Sequence, residues 1–176
     1  PILIAQLSLT GGFGSFTNQT NERMNSDPAV GIDDVQEKDY AWGDLDLDGD
    51  IDLVCVRKEP FTSTGRNINV LFMNENGVLV DRTAEYATAT DVAGDNGFLT
   101  PTNDRDVVLH DLNNDGWLDM VTVTTLTDNS TKELSHPRVY INLGENDGIW
   151  QGFRFENNRI PQMHDTAGPR FCSLAI

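Results

Sequence analysis

Two short stretches carry oxygen-bearing side chains at every second position. They are Asp44-Leu-Asp46-Leu-Asp48-Gly49-Asp50-Ile-Asp52 and Asp111-Leu-Asn113-Asn-Asp115-Gly116-Trp117-Leu-Asp119. Side chains spaced this way converge when the backbone curls, and the glycine permits the sharp turn that reverses the chain. A hard cation that takes six to eight oxygens at about 2.3–2.6 Å is the natural occupant, which favours Ca²⁺ over the stricter octahedral Mg²⁺. Zinc would want Cys or His, and neither loop contains one. The candidate side-chain ligands are Asp44, Asp46, Asp48 and Asp52 in the first loop, and Asp111, Asn113, Asp115 and Asp119 in the second. The residue after each glycine, Asp50 or Trp117, is expected to offer its backbone carbonyl. Trp117 has no side-chain oxygen, which fits that assignment. A single Asp/Asn/Gly turn is ordinary hairpin chemistry, but two nine-residue loops of one pattern are not explained that way. An EF-hand needs a Glu at loop position 12 between helices. That position holds Cys55 and Thr122, in flanks that favour strands. Asn113 replaces a carboxylate, so the second of the two calcium sites is expected to be weaker.

The elements that must position these loops repeat. Residues 39–56 align with residues 106–123 at an offset of 67 without a gap, with eight of eighteen positions identical. Downstream, Leu71-Phe72-Met73-Asn74 matches Val139-Tyr140-Ile141-Asn142 after a one-residue slip, and each is followed by a turn rich in Asn, Glu and Gly. Near the N-terminus, Gly14-Ser-Phe16-Thr-Asn18-Gln-Thr20 resembles Gly77-Val-Leu79-Val-Asp81-Arg-Thr83, so the chain is expected to open on the end of a unit. Short β-branched or aromatic runs bounded by Gly, Asn and Asp predict strands near 2–9, 13–18, 39–43, 52–58, 68–74, 77–81, 105–110, 119–126, 137–142, 150–156 and 170–175. Residues 21–37, 84–104 and 127–136 read as long polar connections. About four strands per repeat is the pattern of a β-propeller blade, and a β-solenoid usually has shorter units. The expected divisions are 1–38, the end of a blade plus a connection; 39–104 and 105–169, two full repeats; and 170–176, the first strand of a third.

The bulk composition bounds the function. The chain has 176 residues and a net charge of −16, which excludes nucleic acid as a natural partner. Eight of the 28 acidic residues lie in the two loops, five in the first and three in the second. Two calcium ions would cancel four units of that charge. No stretch approaches the roughly 20 apolar residues of a membrane-inserted helix. Cys55 and Cys172 form no CxxC pair and no disulfide framework, and two unpaired buried thiols are the commoner state. The chain begins at Pro1 rather than Met, which fits a mature form after signal cleavage or a piece of something longer.

Ala41-Trp-Gly-Asp44-Leu-Asp-Leu-Asp-Gly-Asp-Ile-Asp-Leu-Val54, Asp111-Leu-Asn-Asn-Asp-Gly-Trp-Leu-Asp-Met-Val121 and the Asn-x-x-Gly hairpins resemble the FG-GAP repeat family and its VCBS-type members. The resemblance covers most of the chain apart from the long connections. His110 stands where the family often has Gly. The Phe16–Thr20 segment is also similar to blades of secreted ASPIC/UnbV-type proteins. The resemblance implies an all-β fold of propeller blades, as in integrin α heads, each with about four antiparallel strands and a structural calcium in a hairpin loop. A seven-bladed ring is usual in that family. The chain would supply about two and a half blades, so a longer chain or an assembly is implied.

The function classes follow. A calcium-stabilised extracellular, cell-surface or periplasmic module that binds an unidentified protein or glycan in adhesion is the first. A purely architectural segment of a large secreted protein or filament is the second. A non-catalytic part of a secreted hydrolase is the third. Catalysis by the chain itself finds no support. His110, His136 and His164 are not spaced as a ligand set, and no GxSxG, HExxH or phosphate-cradling glycine loop occurs. Trp42, Trp117 and Trp150 are read as packing residues before partner anchors. Asn18-Gln-Thr20 and Asn129-Ser-Thr131 fit the N-glycosylation pattern. Loops of this type suit compartments rich in calcium, outside the cytosol.

Overall fold

The computed structural model describes residues 17–25, 36–60, 65–124, 137–160 and 175. In chain order, a one-turn helix α1 (Thr20–Arg23) leads into β1 (Met24–Asn25). Then come β2 (Glu37–Gly43), β3 (Asp52–Lys58), β4 (Val70–Glu75) and β5 (Val78–Asp81). A second one-turn helix α2 (Thr83–Tyr86) leads into β6 (Ala89–Thr90), and a 3₁₀ turn follows at Gly97–Leu99. The second half holds β7 (Asp104–His110), β8 (Asp119–Thr124), β9 (Arg138–Asn142), the small hairpin β10 (Glu145–Asn146) and β11 (Ile149–Trp150), and β12 (Phe153–Phe155).

The fold is all-β, built on two antiparallel meanders. One sheet runs β1-β5-β4-β3-β2 and the other β6-β12-β9-β8-β7. Within each, four strands pair antiparallel, as expected of a blade. A fifth, two-residue strand adds parallel at the edge: Met24 faces Leu79, and Ala89 faces Arg154. These edge strands fall in the stretches 21–37 and 84–104 that the sequence pattern reads as connections. Two residues carry no periodicity, and their pairing is fixed only by the neighbouring sheet. The strand expected over 150–156 is split into β11 and β12. The strand expected at 2–9, most of those at 13–18 and 170–175, and the connection 127–136 lie outside the described residues; Thr17, Asn18 and Ala175 are described and are not in a strand. So does Cys172, while Cys55 is buried within β3.

The same local device opens both one-turn helices. Asp81 Oδ1 accepts hydrogen bonds from the Thr83 amide (3.0 Å) and hydroxyl (2.7 Å), and Asn18 Oδ1 accepts the same pair from Thr20 (3.0 and 2.7 Å). Thr83 Oγ1 in turn accepts from the Leu71 amide at 2.9 Å, tying the turn back to the sheet. Each helix then delivers the short strand that completes the next sheet's edge.

β3 and β4 are central strands covered on both faces, so they read as continuous apolar runs, and side chains still alternate between faces. Leu53, Cys55, Val70, Phe72 and Leu79 share one face of the first sheet with Tyr40 and Met24. Leu45, Val54, Val56, Leu71 and Met73 occupy the other, against Val107, Met120, Tyr140, Phe153 and Phe155 of the second sheet. The shared core therefore joins the back of one sheet to the front of the next. At roughly 1.5–3 kcal/mol per fully buried large apolar side chain, this contact is the main force between the two blades. Val121, Val139 and Ile141 line the far face of the second sheet, with Ile160 against them.

Candidate metal centre

Each Asp loop is the connection between the first two strands of its meander, β2 to β3 and β7 to β8. Its ends are fixed by the facing pairs Gly43–Asp52 and His110–Asp119. The two loops share their backbone: Leu47 and Asn114 have φ near +60° (59° and 60°), and Gly49 and Gly116 have φ of 97° and 93°. Glycine suits that reversal because it carries no Cβ. Asn is the better residue at the left-handed position, so Leu47 is the less comfortable of that pair.

In the first loop, Asp44 Oδ2 accepts from the Gly49 amide (3.2 Å), Asp46 Oδ1 from the Asp48 amide (3.2 Å) and Asp48 Oδ1 from the Asp50 amide (2.8 Å). These bonds draw Asp44, Asp46 and Asp48 together, each offering an oxygen within 4.8 Å of the others. Asp44 Oδ1 is buried and has no hydrogen-bond partner. Like charges this close repel by about 1 kcal/mol per pair in bulk water and about 3 kcal/mol at the effective dielectric near a protein surface. Burial, then the charges of Asp48 and Asp44, raise the Asp46 carboxyl above its ordinary value. The donor set is all oxygen, with an unsatisfied carboxylate oxygen among its members. It fits a hard divalent cation, and Asp44, Asp46 and Asp48 are the residues that would hold it.

Asp52 stands outside that triad. It is buried, with Oδ2 accepting from the Leu45 amide (2.9 Å) and Oδ1 from the Asn74 amide (2.8 Å). It clamps the loop entrance to β4, and a second lone pair on each oxygen leaves it able to ligate as well. Burial pushes its carboxyl up to about 6, with the Asp46 and Asp48 charges adding and the two amide bonds opposing.

The second loop repeats the frame with different chemistry inside it. Asp119 Oδ2 accepts from the Leu112 amide (3.0 Å) and Oδ1 from the Asn142 amide (2.8 Å). Burial, then the charges of Asp115 and Asp111, raise its carboxyl, against the two amide bonds. Here both Asp111 oxygens have partners, the Asp115 amide (3.1 Å) and the Gly116 amide (2.9 Å). Asn113 Oδ1 accepts from the Asp115 amide (3.0 Å), and its Nδ2 donates to Asp115 Oδ2 (2.8 Å). An N–H thus stands where Asp46 has its second carboxylate oxygen. The amide would have to turn before it offered an oxygen to an ion.

Asp50 and Trp117 donate their amides to Asp48 Oδ1 and to Asp115 Oδ1 (2.9 Å). The Trp117 indole lies over Gly144, where a Cβ would come within 3.1 Å of its Nε1. Trp150 packs on Tyr86 and Phe153 and donates Nε1 to Asn142 Oδ1 at 2.9 Å. Trp42 is 49% exposed, so it is not a core residue of these two blades. His110 is exposed at the end of β7, and His136 and His164 lie outside the described residues.

Two asparagines at matching positions complete the site, and sequence reasoning assigns them no role. Asn74 Nδ2 donates to the Ile51 carbonyl (3.2 Å) and its Oδ1 accepts from the Gly77 amide (2.9 Å). Asn142 Nδ2 donates to the equivalent Leu118 carbonyl (3.2 Å) and also to the Leu45 carbonyl of the other blade (2.8 Å). The available signal was the identical Asn closing both aligned runs, 71–74 and 139–142.

Two stacked antiparallel blades with an Asp-rich hairpin at one end define a class of repeat protein. Within it, residues 44–122 match the model of the FG-GAP-like repeat. The match contains both Asp loops. No curated protein and no solved structure matches the chain. FG-GAP-like repeats are generally non-catalytic structural or binding modules, typical of extracellular proteins. Among the described residues no helix is long and apolar enough to cross a membrane.

Proposed function

We propose that the chain is an extracellular calcium-binding β-propeller module in which the ions are structural and the loop end meets a protein or glycan partner. The observation that carries the calcium reading is the Asp44–Asp46–Asp48 triad with a buried Asp44 oxygen that no protein group satisfies. In this reading Asp52 and the Asp50 carbonyl complete the first site. Asp111, Asn113, Asp115, Asp119 and the Trp117 carbonyl form the second, weaker one.

Further blades on either side follow from the packing. Leu109 and Leu118 pack against the shared core, and Leu45 is fully buried in it. Their counterparts in the other blade, Trp42, Ile51 and Leu112, are 49%, 51% and 37% exposed. These are blade-contact positions, and adjoining blades of a longer chain or assembly would cover them. Leu47, Leu143 and Ile149 are also exposed, and in this reading a partner at the loop end would cover them.

Thermal unfolding with and without chelator tests the calcium reading. A ligand of the native state at about 100 times its Kd adds about 2.7 kcal/mol per site. At roughly 2–4 °C per kcal/mol for a chain of this size, EDTA is expected to lower Tm by about 5–10 °C per site, and excess Ca²⁺ to restore it. An unchanged melting curve would remove the structural ion. A glycan array read with and without chelator addresses the partner, and calcium-dependent binding to a defined glycan supports the adhesive role over an architectural one.

A further inference from the structure

We infer that Asn142 is a positioning residue that couples the two Asp loops, so that calcium bound at one raises the affinity of the other. The inference rests on the calcium reading above and goes beyond it. A continuous polar path joins the loops. Asp52 Oδ2 accepts from the Leu45 amide at 2.9 Å. The carbonyl of the same Leu45 accepts from Asn142 Nδ2 at 2.8 Å, in a buried bond spanning 97 residues of sequence. The amide of Asn142 donates to Asp119 Oδ1 at 2.8 Å. Both carboxylates that clamp the loops are thereby held through one side chain and its own backbone.

The path lies where displacement is costly. Leu45, Asp52, Asp119 and Asn142 are all buried, and a buried polar group that loses its partner costs about 1–3 kcal/mol. Asn142 Oδ1 is fixed from its other side by the Gly144 amide (3.0 Å) and by Trp150 Nε1 (2.9 Å), so the side chain has one orientation in which all these bonds coexist. An ion held by Asp44, Asp46 and Asp48 would fix the loop around Leu45, and with it the carbonyl that accepts from Asn142. The ordered Asn142 then presents its amide to Asp119. A second ion binds to a loop whose ordering has already been met, which is positive coupling without a large structural change. Linkage makes the effect reciprocal.

Calorimetric calcium titration of the full chain tests this with a built-in control. The affinity of the second loop is measured in the native chain and in Asp48→Ala, where the first loop is disabled, and that of the first loop in Asp115→Ala. The ratio of second-loop affinities is the coupling, expected to be about five-fold, the worth of one net hydrogen bond. Asn142→Asp keeps the acceptor oxygen for Gly144 and Trp150 and removes the donors to Leu45 and, within its own blade, to Leu118. Its added charge and the lost Leu118 bond act on both affinities being compared, so their ratio isolates the bond to Leu45, and it is expected to fall to about one. Asn74→Ala removes the corresponding bonds inside the first blade and none between blades, and should leave the ratio unchanged. Equal second-loop affinity with the first loop intact or disabled would overturn the coupling while leaving calcium binding in place. A ratio that survives Asn142→Asp would overturn the role of Asn142. If neither loop binds calcium, the calcium reading falls, and this proposal with it.

Discussion

Gly152 lies close against the backbone of α2, and Gly152→Ala tests that approach. The residue lies between β11 and β12 with φ of 73°, and a Cβ placed on it would stand 2.7 Å from the Cα and 2.8 Å from the carbonyl carbon of Tyr86. The left-handed backbone alone costs alanine roughly 1–2 kcal/mol. The steric term adds to this, because the neighbour is backbone rather than a flexible side chain. That backbone is held by the Tyr86 amide on the Arg82 carbonyl (3.0 Å) and the Ala87 amide on the Thr83 carbonyl (3.0 Å). Overpacking of this kind costs roughly 1–3 kcal/mol. The sum, about 3–4 kcal/mol, corresponds to a fall in Tm of roughly 10 °C. Gly49→Ala is the matched control, since φ is 97° and no heavy atom lies within 4 Å of the added Cβ, leaving only the conformational cost. Both variants are compared by calorimetry and urea unfolding in saturating calcium. If Gly152→Ala loses no more than Gly49→Ala, the contact between α2 and the second sheet is not the close one described, and α2 cannot serve as the strap between blades.

Two further outcomes are expected. Asp48→Ala should weaken calcium binding more than Asn113→Ala, by on the order of ten-fold, because it removes a charge from the cage; equal losses in a titration would contradict the ranking of the loops. Asp104 is fully buried, with Oδ2 accepting from Asn69 Nδ2 (2.6 Å) and Thr102 Oγ1 (2.8 Å). Burial raises its carboxyl, outweighing those bonds and the Arg138 charge. A carboxyl raised on folding takes up a proton, so its contribution is present at low pH and lost as pH rises through the folded value. Asp104→Asn should therefore gain stability relative to the native chain as pH rises above the ordinary carboxylate range, and a pH-independent difference in urea unfolding would refute the assignment.

How much was legible in the sequence depended on whether a feature had a period. The Asp loops did, at a spacing of two within each loop and 67 between them. The central strands did too, since β3 and β8 are apolar runs bounded by an Asp on one side. β1 and β6 did not, because two residues paired to a neighbouring sheet carry no signature of their own. The clamp role of Asp52 and Asp119 was hidden for a different reason. A carboxylate that binds two amides and one that binds an ion need the same residue at the same place. Only the bonds to Leu45 and Asn74, and to Leu112 and Asn142, tell them apart. Trp42 was legible only in part, because an aromatic beside the loop suggests core or inter-blade packing and its 49% exposure excludes only the first.

The two loops also divide the work unequally. The second keeps its form as a polar turn, because both Asp111 oxygens have backbone partners and Asn113 bonds Asp115 directly. The first concentrates three carboxylates and leaves an Asp44 oxygen unsatisfied, so it is the loop that gains most from a cation. Yet the bond that holds its Leu45 carbonyl comes from Asn142, on the blade of the self-sufficient loop. The blade whose loop is the more fully hydrogen-bonded therefore braces the loop that leaves a carboxylate oxygen unsatisfied. Asn74 occupies the matching position in the first blade and bonds Ile51 as Asn142 bonds Leu118, so both blades carry the same donor at the place from which Asn142 reaches its neighbour.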